Sequence, residues 1–264
     1  MRHIASRDNP HFKALRKLCQ SGRERRKTGL VLLDGMHLIE AYAAHCGWPA
    51  EIVVSESGTR REEIAAFLAR GADGENPPPG TRTLLADALF AELAAVDTPS
   101  GIMAVAAQPK PARAPDMKAD AVLLDGVQDP GNVGSILRSA AAAGIRQVLL
   151  ADDCAHAWSP KTLRAAMGAH FLLDIHENAD LASFLDGYGG QGAVTALDAA
   201  TSLYAANLRG PVAWVFGSEG QGVRPEVAAA ARLRVRIPMP GATESLNVAA
   251  AAAVCLFETL RQRL

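Results

Sequence analysis

The sequence predicts an α/β fold, with a C-terminal parallel-sheet domain over residues 119–264 preceded by a smaller α/β domain over residues 29–107. Short apolar runs that suit buried strands alternate with amphipathic helical patterns along most of the chain. Between the two halves lies Gln108–Met117, with three prolines and no periodicity, which reads as part of an interdomain linker over 108–118. The length, 264 residues with 49% apolar, allows two modest cores.

In the first half, Leu30–Leu33, Ile52–Val54, Thr81–Leu85 and Ile102–Ala107 read as strands, four in all. Helices are expected through Met36, Leu38, Ile39 and Tyr42, over Glu62–Ala69 and over Asp87–Ala94, with Asn76-Pro-Pro-Pro-Gly80 as a loop. In the second half the strands are Ala121–Leu124, Gln147–Ala151, Phe171–Asp174, Ala193–Leu197, Val212–Phe216 and Val235–Ile237. The helices are Val133–Ala143, closed by Gly144, then Thr162–Met167, Asp180–Leu185 and Leu246–Leu260. The last should bury Leu246, Ala249, Ala250, Ala253, Val254, Phe257 and Leu260.

Charge is unevenly spread. Net charge is −1 over the chain, yet residues 1–30 hold nine Lys or Arg against Asp8 and Glu24. Residues 1–28 therefore read as a basic arm, part of it a short helix near 9–20. Arg16, Lys17, Arg23, Arg25, Arg26 and Lys27 are its candidate nucleic-acid contacts. A solvated tail would look the same. Cys19, Cys46, Cys154 and Cys255 are far apart, and the seven His pair with no ligand at metal spacing, so no metal site is expected. No apolar leader or membrane-length run occurs, which points to the cytoplasm.

Three glycine-rich or proline-rich turns carry the chemistry. The first is Asp129-Pro-Gly-Asn132-Val-Gly134-Ser-Ile-Leu-Arg138. It can be a plain turn with Asn132 as helix cap, but Arg138 is a fork suited to a phosphate or a developing oxyanion. The second, Phe216-Gly217-Ser218-Glu219-Gly220-Gln-Gly222, can be a simple turn with an exposed acid. Alternatively, Gly217 and Gly220 supply positive φ and bare backbone for a flat ligand. The third, Ile237-Pro-Met-Pro-Gly-Ala-Thr-Glu-Ser245-Leu-Asn247, crowds polar residues where the last helix starts, with Ser245 a natural cap. The turns make one site only if they converge. Dinucleotide and P-loop glycine spacings are absent.

As an ordered set these turns resemble the motifs of the SpoU (TrmH-like) family of RNA ribose 2′-O-methyltransferases, of the SPOUT superfamily. The likeness covers about 119–262, and residues 29–107 are similar to the ribosomal-protein-like (L30e-like) substrate-binding domain that often precedes it. Asp34-Gly35 stands where that family usually has Glu-Gly. The resemblance implies a deep trefoil knot, a homodimer and S-adenosylmethionine as cofactor, contacted by Gly217, Ile237 and Leu246 with Leu197 and Met239 nearby. It makes Arg138 the central catalytic residue, with Asn132, Glu219, Ser245 and Asn247 completing the site.

The expected reaction is methylation of a ribose 2′-hydroxyl in structured RNA, with ribosomal RNA favoured over transfer RNA. Arg138, held by Asn132 and Glu219, would lower the hydroxyl pKa and grip the adjacent phosphate; either it or the phosphate takes the proton. The competing readings are an inactive RNA-binding or ribosome-assembly factor and a metabolic enzyme with a nucleotide cofactor.

Overall fold

The computed structural model describes residues 1–69, 81–94, 96, 98–111 and 113–264. The proline loop expected at 76–80 lies outside the described residues. The chain forms two compact units, one of Met1–Pro109 with Trp158–Phe171, the other of Lys110–Ala157 with Leu172–Leu264.

The first unit begins with strand β1 (Arg2–Ile4), helices α1 (Pro10–Gln20) and α2 (Gly22–Thr28), strand β2 (Leu30–Asp34) and helix α3 (Met36–Cys46). It continues with β3 (Glu51–Ser55), α4 (Glu62–Ala69), β4 (Arg82–Leu85), α5 (Asp87–Leu93) and β5 (Ile102–Ala107). The sheet order is β1-β4-β3-β5-β2, with β5 antiparallel to both neighbours and the other pairs parallel. The sheet thus has five strands, where the sequence suggests four. The missed one, β1, is three residues long and too short to show periodicity.

Residues 1–28 are not a separate arm. Phe12, Leu15 and Leu18 of α1 are buried with Ile4, Leu32, Leu89 and Phe90 in one core cluster. Asn9 caps α1 by accepting from the His11 and Phe12 amides, and Ser21 caps α2 by accepting from Glu24 N–H. The basic residues therefore ride on anchored helices.

In the second unit, β6 (Ala121–Asp125), α6 (Pro130–Ala142) and β7 (Gln147–Leu150) come first. Helix α7 (Pro160–Ala166) follows in sequence but clusters with the first unit. There Arg164 is ion-paired to the nearly buried Asp34 carboxylate, whose other oxygen accepts from Ser100 Oγ at 2.6 Å. The second unit then resumes with β8 (Asp174–Glu177), α8 (Leu181–Gly187), β9 (Gln191–Thr195), β10 (Thr201–Ser202) and β11 (Val212–Gly217). It ends with α9 (Pro225–Ala230), β12 (Leu233–Arg236) and α10 (Val248–Arg261). Strand order is β10-β12-β9-β11-β6-β7-β8, and every pair is parallel.

The strand expected at Phe171–Asp174 is shifted to β8. Its apolar start forms a 3₁₀ turn, Ala169–Leu172, in which Phe171 packs edge-on against Tyr42 with ring centroids 5.3 Å apart. The Leu246–Leu260 helix starts two residues late and buries a different face, Ala252, Cys255, Leu256 and Thr259. Phe257 and Leu246 of the expected core stripe are exposed. The buried face is fixed by polar as well as apolar contact: Trp214 Nε1 donates to Thr259 Oγ1 at 2.9 Å inside the core.

Candidate active site

Because the second sheet is parallel, the carboxyl ends of β6, β9, β11 and β12 open on one edge, where ligands of open α/β sheets bind. The three turns leave from these ends.

At the first turn, Asp129 caps α6, its carboxylate accepting from Asn132 N–H at 2.9 Å, with Pro130 in the first helical turn. Asn132 is thus not the cap the sequence suggests, and its side chain is free to reach outward. Its Nδ2 donates to Glu219 Oε1, and its Oδ1 accepts from Asn247 Nδ2 at 3.0 Å. Asn247, in turn, is the cap of α10, its Oδ1 accepting from the Ala249 and Ala250 amides. The amide of one residue from each of the first and third turns and the carboxylate of the second form a single chain of hydrogen bonds. Ser245, expected as the cap, does not take that role because the helix begins only at Val248 and Asn247, at φ −54° and ψ 139°, caps it.

The second turn is a tight hairpin. Ser218 and Gly222 exchange two backbone hydrogen bonds, at 3.0 and 2.9 Å. Gly222 has φ +70°, whereas neither Gly217 nor Gly220 is in the positive-φ region the sequence reading assigned them. Gly217 is needed for another reason. A Cβ there would lie 2.1 Å from Gly222 C and 2.3 Å from Val223 N, so only glycine lets the hairpin fold back on its own strand.

Sequence reasoning missed what anchors this hairpin. Asp125, at the end of β6, is buried, and both of its oxygens are taken by Arg224. Arg224 N–H donates to Oδ2 at 2.7 Å, Nε to Oδ1 at 2.7 Å, and Nη2 approaches Oδ1 at 2.6 Å. The carboxylate raises the Arg224 pKa, chiefly by hydrogen bonding. The signal available was an acid ending a wholly apolar strand, Ala121–Asp125.

Beside the chain of hydrogen bonds lies an open cleft of about 150 Å³ lined by Thr195, Ala196, Leu197, Ile237, Met239, Ser245, Leu246 and Ala251. It gathers four of the five residues expected to contact a cofactor. Gly217 is not among its walls. Leu197 and Leu246 are 62% and 41% exposed, an apolar surface that a flat apolar ligand would cover. Arg138 stands exposed on α6. Among the described residues it makes no hydrogen bond or ion pair: Asn132 and Glu219 hold each other, where the sequence predicts that they hold Arg138. Among the described residues there is also no cluster of His, Cys, Asp or Glu placed to hold a metal ion.

Of the basic residues on α1 and α2, Lys17, Arg23, Arg26 and Lys27 are exposed and Arg16 is half-buried. Arg25 is a correction. It is 4% exposed, and its Nη1 donates to Leu18 O at 2.6 Å and Cys19 O at 3.0 Å, satisfying the last carbonyls of α1. Its charge is used inside the fold.

Comparison with known proteins matches residues 120–257 to the model of the SpoU rRNA Methylase family and residues 9–104 to that of the MRM3-like substrate binding domain. A 23S rRNA (guanosine-2′-O)-methyltransferase of Bacillus subtilis is 34% identical over 97% of this chain and 98% of its own. The crystal structure of an RNA 2′-O ribose methyltransferase superposes with a TM-score of 0.81 at 30% identity, covering 99% of both chains. The SpoU methyltransferase AviRb of Streptomyces viridochromogenes, solved in complex with AdoMet, superposes at 0.82 and 26% identity, covering 97% and 98%.

Proposed function

The chain belongs to the SpoU rRNA methylase family, and from that membership we propose that it methylates a ribose 2′-hydroxyl of ribosomal RNA with S-adenosylmethionine as donor. The observation that carries the reading is the Glu219–Asn132–Asn247 chain, which draws the three motif turns to one place beside an apolar cleft. A binding factor without catalysis needs no such convergence of polar side chains.

The cleft fits the donor by its chemistry: Leu197, Ile237, Met239 and Leu246 offer apolar walls for an adenosine, and the strand ends offer backbone groups. When bound, the donor supplies an electrophilic methyl group. The chain's own task is to align a weakly acidic hydroxyl and help it shed its proton. Alignment alone contributes several kcal/mol, roughly 7–11 for well-oriented groups. Arg138 has no protein partner among the described residues, so its guanidinium is available to the RNA, where it lowers the hydroxyl pKa and binds the neighbouring phosphate. Asn132, Glu219, Ser245 and Asn247 shape the wall it works against. Gly217 serves this site by letting the Glu219 hairpin close, rather than by touching the cofactor.

The remaining parts of the reading follow the family. Residues 1–107 act as the L30e-like RNA-gripping part, through Arg16, Lys17, Arg23, Arg26 and Lys27 and without Arg25, and residues 108–118 link it to the methyltransferase part. The segment after β12 threads a loop to make a trefoil knot, supported by α10 returning to pack on α6 and β11. A homodimer covers the exposed apolar face of α10. The setting is the cytoplasm, consistent with four cysteines far apart in sequence; no helix among the described residues is long and apolar enough to cross a membrane.

The test is transfer of labelled methyl from S-adenosylmethionine to ribosomal RNA taken from cells lacking this protein. Wild type labels a ribose 2′-oxygen, and Arg138→Ala binds the donor yet fails to label. Full activity in Arg138→Ala overturns the assigned role of the arginine.

A further inference from the structure

We propose that the hollow next to the three-turn bridge receives the base of the nucleotide being methylated, and that Asp153 selects guanine there. The inference rests on reading the second unit as a 2′-O-methyltransferase site. The hollow, about 420 Å³, is lined among others by Gly126, Gln128, Asp153, Ser218, Glu219 and Arg224. Its volume lies within the range of small-ligand pockets. Glu219 belongs to both the hollow and the Asn132–Asn247 bridge, so a base in the hollow sets its own ribose against that bridge.

The lining's chemistry decides the kind of base. Asp125 is consumed by Arg224, and one Glu219 oxygen by Asn132. Besides the second Glu219 oxygen, two charged groups of the lining keep unused hydrogen-bonding capacity. Arg224 is held through Nε, Nη2 and its backbone N–H, which leaves Nη1 unbonded among the described residues. Asp153 accepts no hydrogen bond among the described residues, and Gly126, at φ +69°, makes room for it: a Cβ there would sit 3.0 Å from Asp153 Oδ2. Acids outnumber the guanidinium, so a phosphate would be repelled and a neutral base suits the hollow better.

Guanine is the RNA base with two adjacent donors, N1–H and N2–H₂, which match the two oxygens of one carboxylate. Its O6 and N7 accept from a guanidinium. Adenine, cytosine or uracil in the same place would leave a desolvated carboxylate oxygen unpaired, and sites built on such pairing reject a ligand that lacks it. Asp125 acts here as a positioning residue, fixing the Arg224 fork before the base arrives.

The experiment uses the full chain and ribosomal RNA from cells lacking it, with labelled S-adenosylmethionine and digestion of the product to nucleosides. Wild type is expected to place label in 2′-O-methylguanosine alone. Asp153→Ala is expected to lower kcat/KM for the RNA about tenfold or more, with Kd for S-adenosylmethionine and Tm unchanged, because the residue is exposed and holds no protein partner. On a short synthetic RNA spanning the mapped nucleotide, inosine in place of guanosine removes the N2 donor. It should slow wild type by a similar factor and slow Asp153→Ala little further. Label in another nucleoside, an unslowed Asp153→Ala, or an inosine penalty that is absent in wild type or undiminished in the variant overturns the proposal. No label from wild type at all overturns the methyltransferase reading, and this proposal with it.

Discussion

The Asn247 side-chain amide donates to the Asn132 side-chain carbonyl at 3.0 Å, joining residues 115 apart in sequence. Each end has a second duty. Asn132 also holds Glu219, and Asn247 also caps α10. Removing the middle member, Asn132→Ala, leaves the Glu219 carboxylate and the Asn247 amide without their partners. The network is exposed, so the stability cost should be small, below about 1 kcal/mol. The activity cost should be larger, about ten- to a hundredfold in kcat/KM, as three turns lose their common tie. Methyl transfer and urea denaturation on the same variant check this; wild-type turnover would sink it. Asn247→Ala adds a lost helix cap, about 1 kcal/mol, to a similar loss of rate.

Gly217→Ala and Gly220→Ala should behave oppositely although they flank the same Ser218-Glu219 pair. At Gly217 the added methyl meets backbone of Gly222 and Val223 at 2.1–2.3 Å, and backbone cannot step aside as a side chain can. At Gly220 nothing lies within 4 Å. The first substitution should destabilise by about 1–3 kcal/mol or more, the cost of forced overpacking, and release the Glu219 hairpin. The second should leave Tm near wild type. Thermal melts of the two variants decide it, and equal melting temperatures would refute the packing account.

The sequence was most readable where strands are buried on both faces. Val212–Phe216 and Ala121–Leu124 are unbroken apolar runs, and both lie at the centre of the second sheet. The three turns were legible as a set, and the chain Glu219–Asn132–Asn247 shows what their polar residues do. Helix caps were misread in two places, because Asp129 and Asn132, or Ser245 and Asn247, are equally good cap residues and only backbone course chooses between them. The Asp125–Arg224 pair spans 99 residues, and no local pattern reports a contact of that range. The burial of Arg25 was hidden for the opposite reason: within a run of cations nothing in composition marks the one that turns inward to cap the preceding helix.

Arg25 and Lys27 therefore predict different phenotypes from the same loss of charge. Lys27 is exposed, and if it touches RNA phosphate, Lys27→Ala should weaken binding and reduce the slope of log affinity against log salt by up to about 1. Arg25→Ala instead uncovers the Leu18 and Cys19 carbonyls in a buried setting and should cost about 1–3 kcal/mol of stability. Salt titration of RNA affinity, together with melting curves, separates the two. An Arg25→Ala variant with unaltered Tm and a shallower salt slope would restore it as an RNA contact.

Acid should act on β8 through His176. Burial lowers its pKa, with Asp174 pulling weakly the other way. A histidine depressed in the fold is neutral there, so it favours folding above its unfolded pKa, and that contribution fades as pH falls toward the folded value. Wild type should lose Tm between pH 7 and pH 5 more steeply than His176→Gln, in which the other acid-sensitive groups are the same. Parallel curves for the two proteins would show that burial of the ring has no titration consequence.

Helix α10 presents two competing apolar faces. Its sequence marks an apolar face through Ala250, Ala253, Val254 and Phe257, yet the chain buries the neighbouring face through Ala252, Cys255, Leu256 and Thr259. An Ala-rich helix has weak contrast around its circumference, so the two faces compete, and the inner one packs on α6 and β11, where Trp214 donates to Thr259. The outer face is left with Phe257 at 47% exposure. In the proposed homodimer a second copy covers it. A stable interface buries about 1,200–2,000 Å² in total, so α10 must act with its neighbour α6 rather than alone. Phe257→Asp puts a charge at that seam without touching the buried face. It should turn a dimeric mass into a monomeric one by sedimentation while far-UV dichroism stays unchanged. A dimer that survives the substitution at micromolar concentration would place the interface elsewhere.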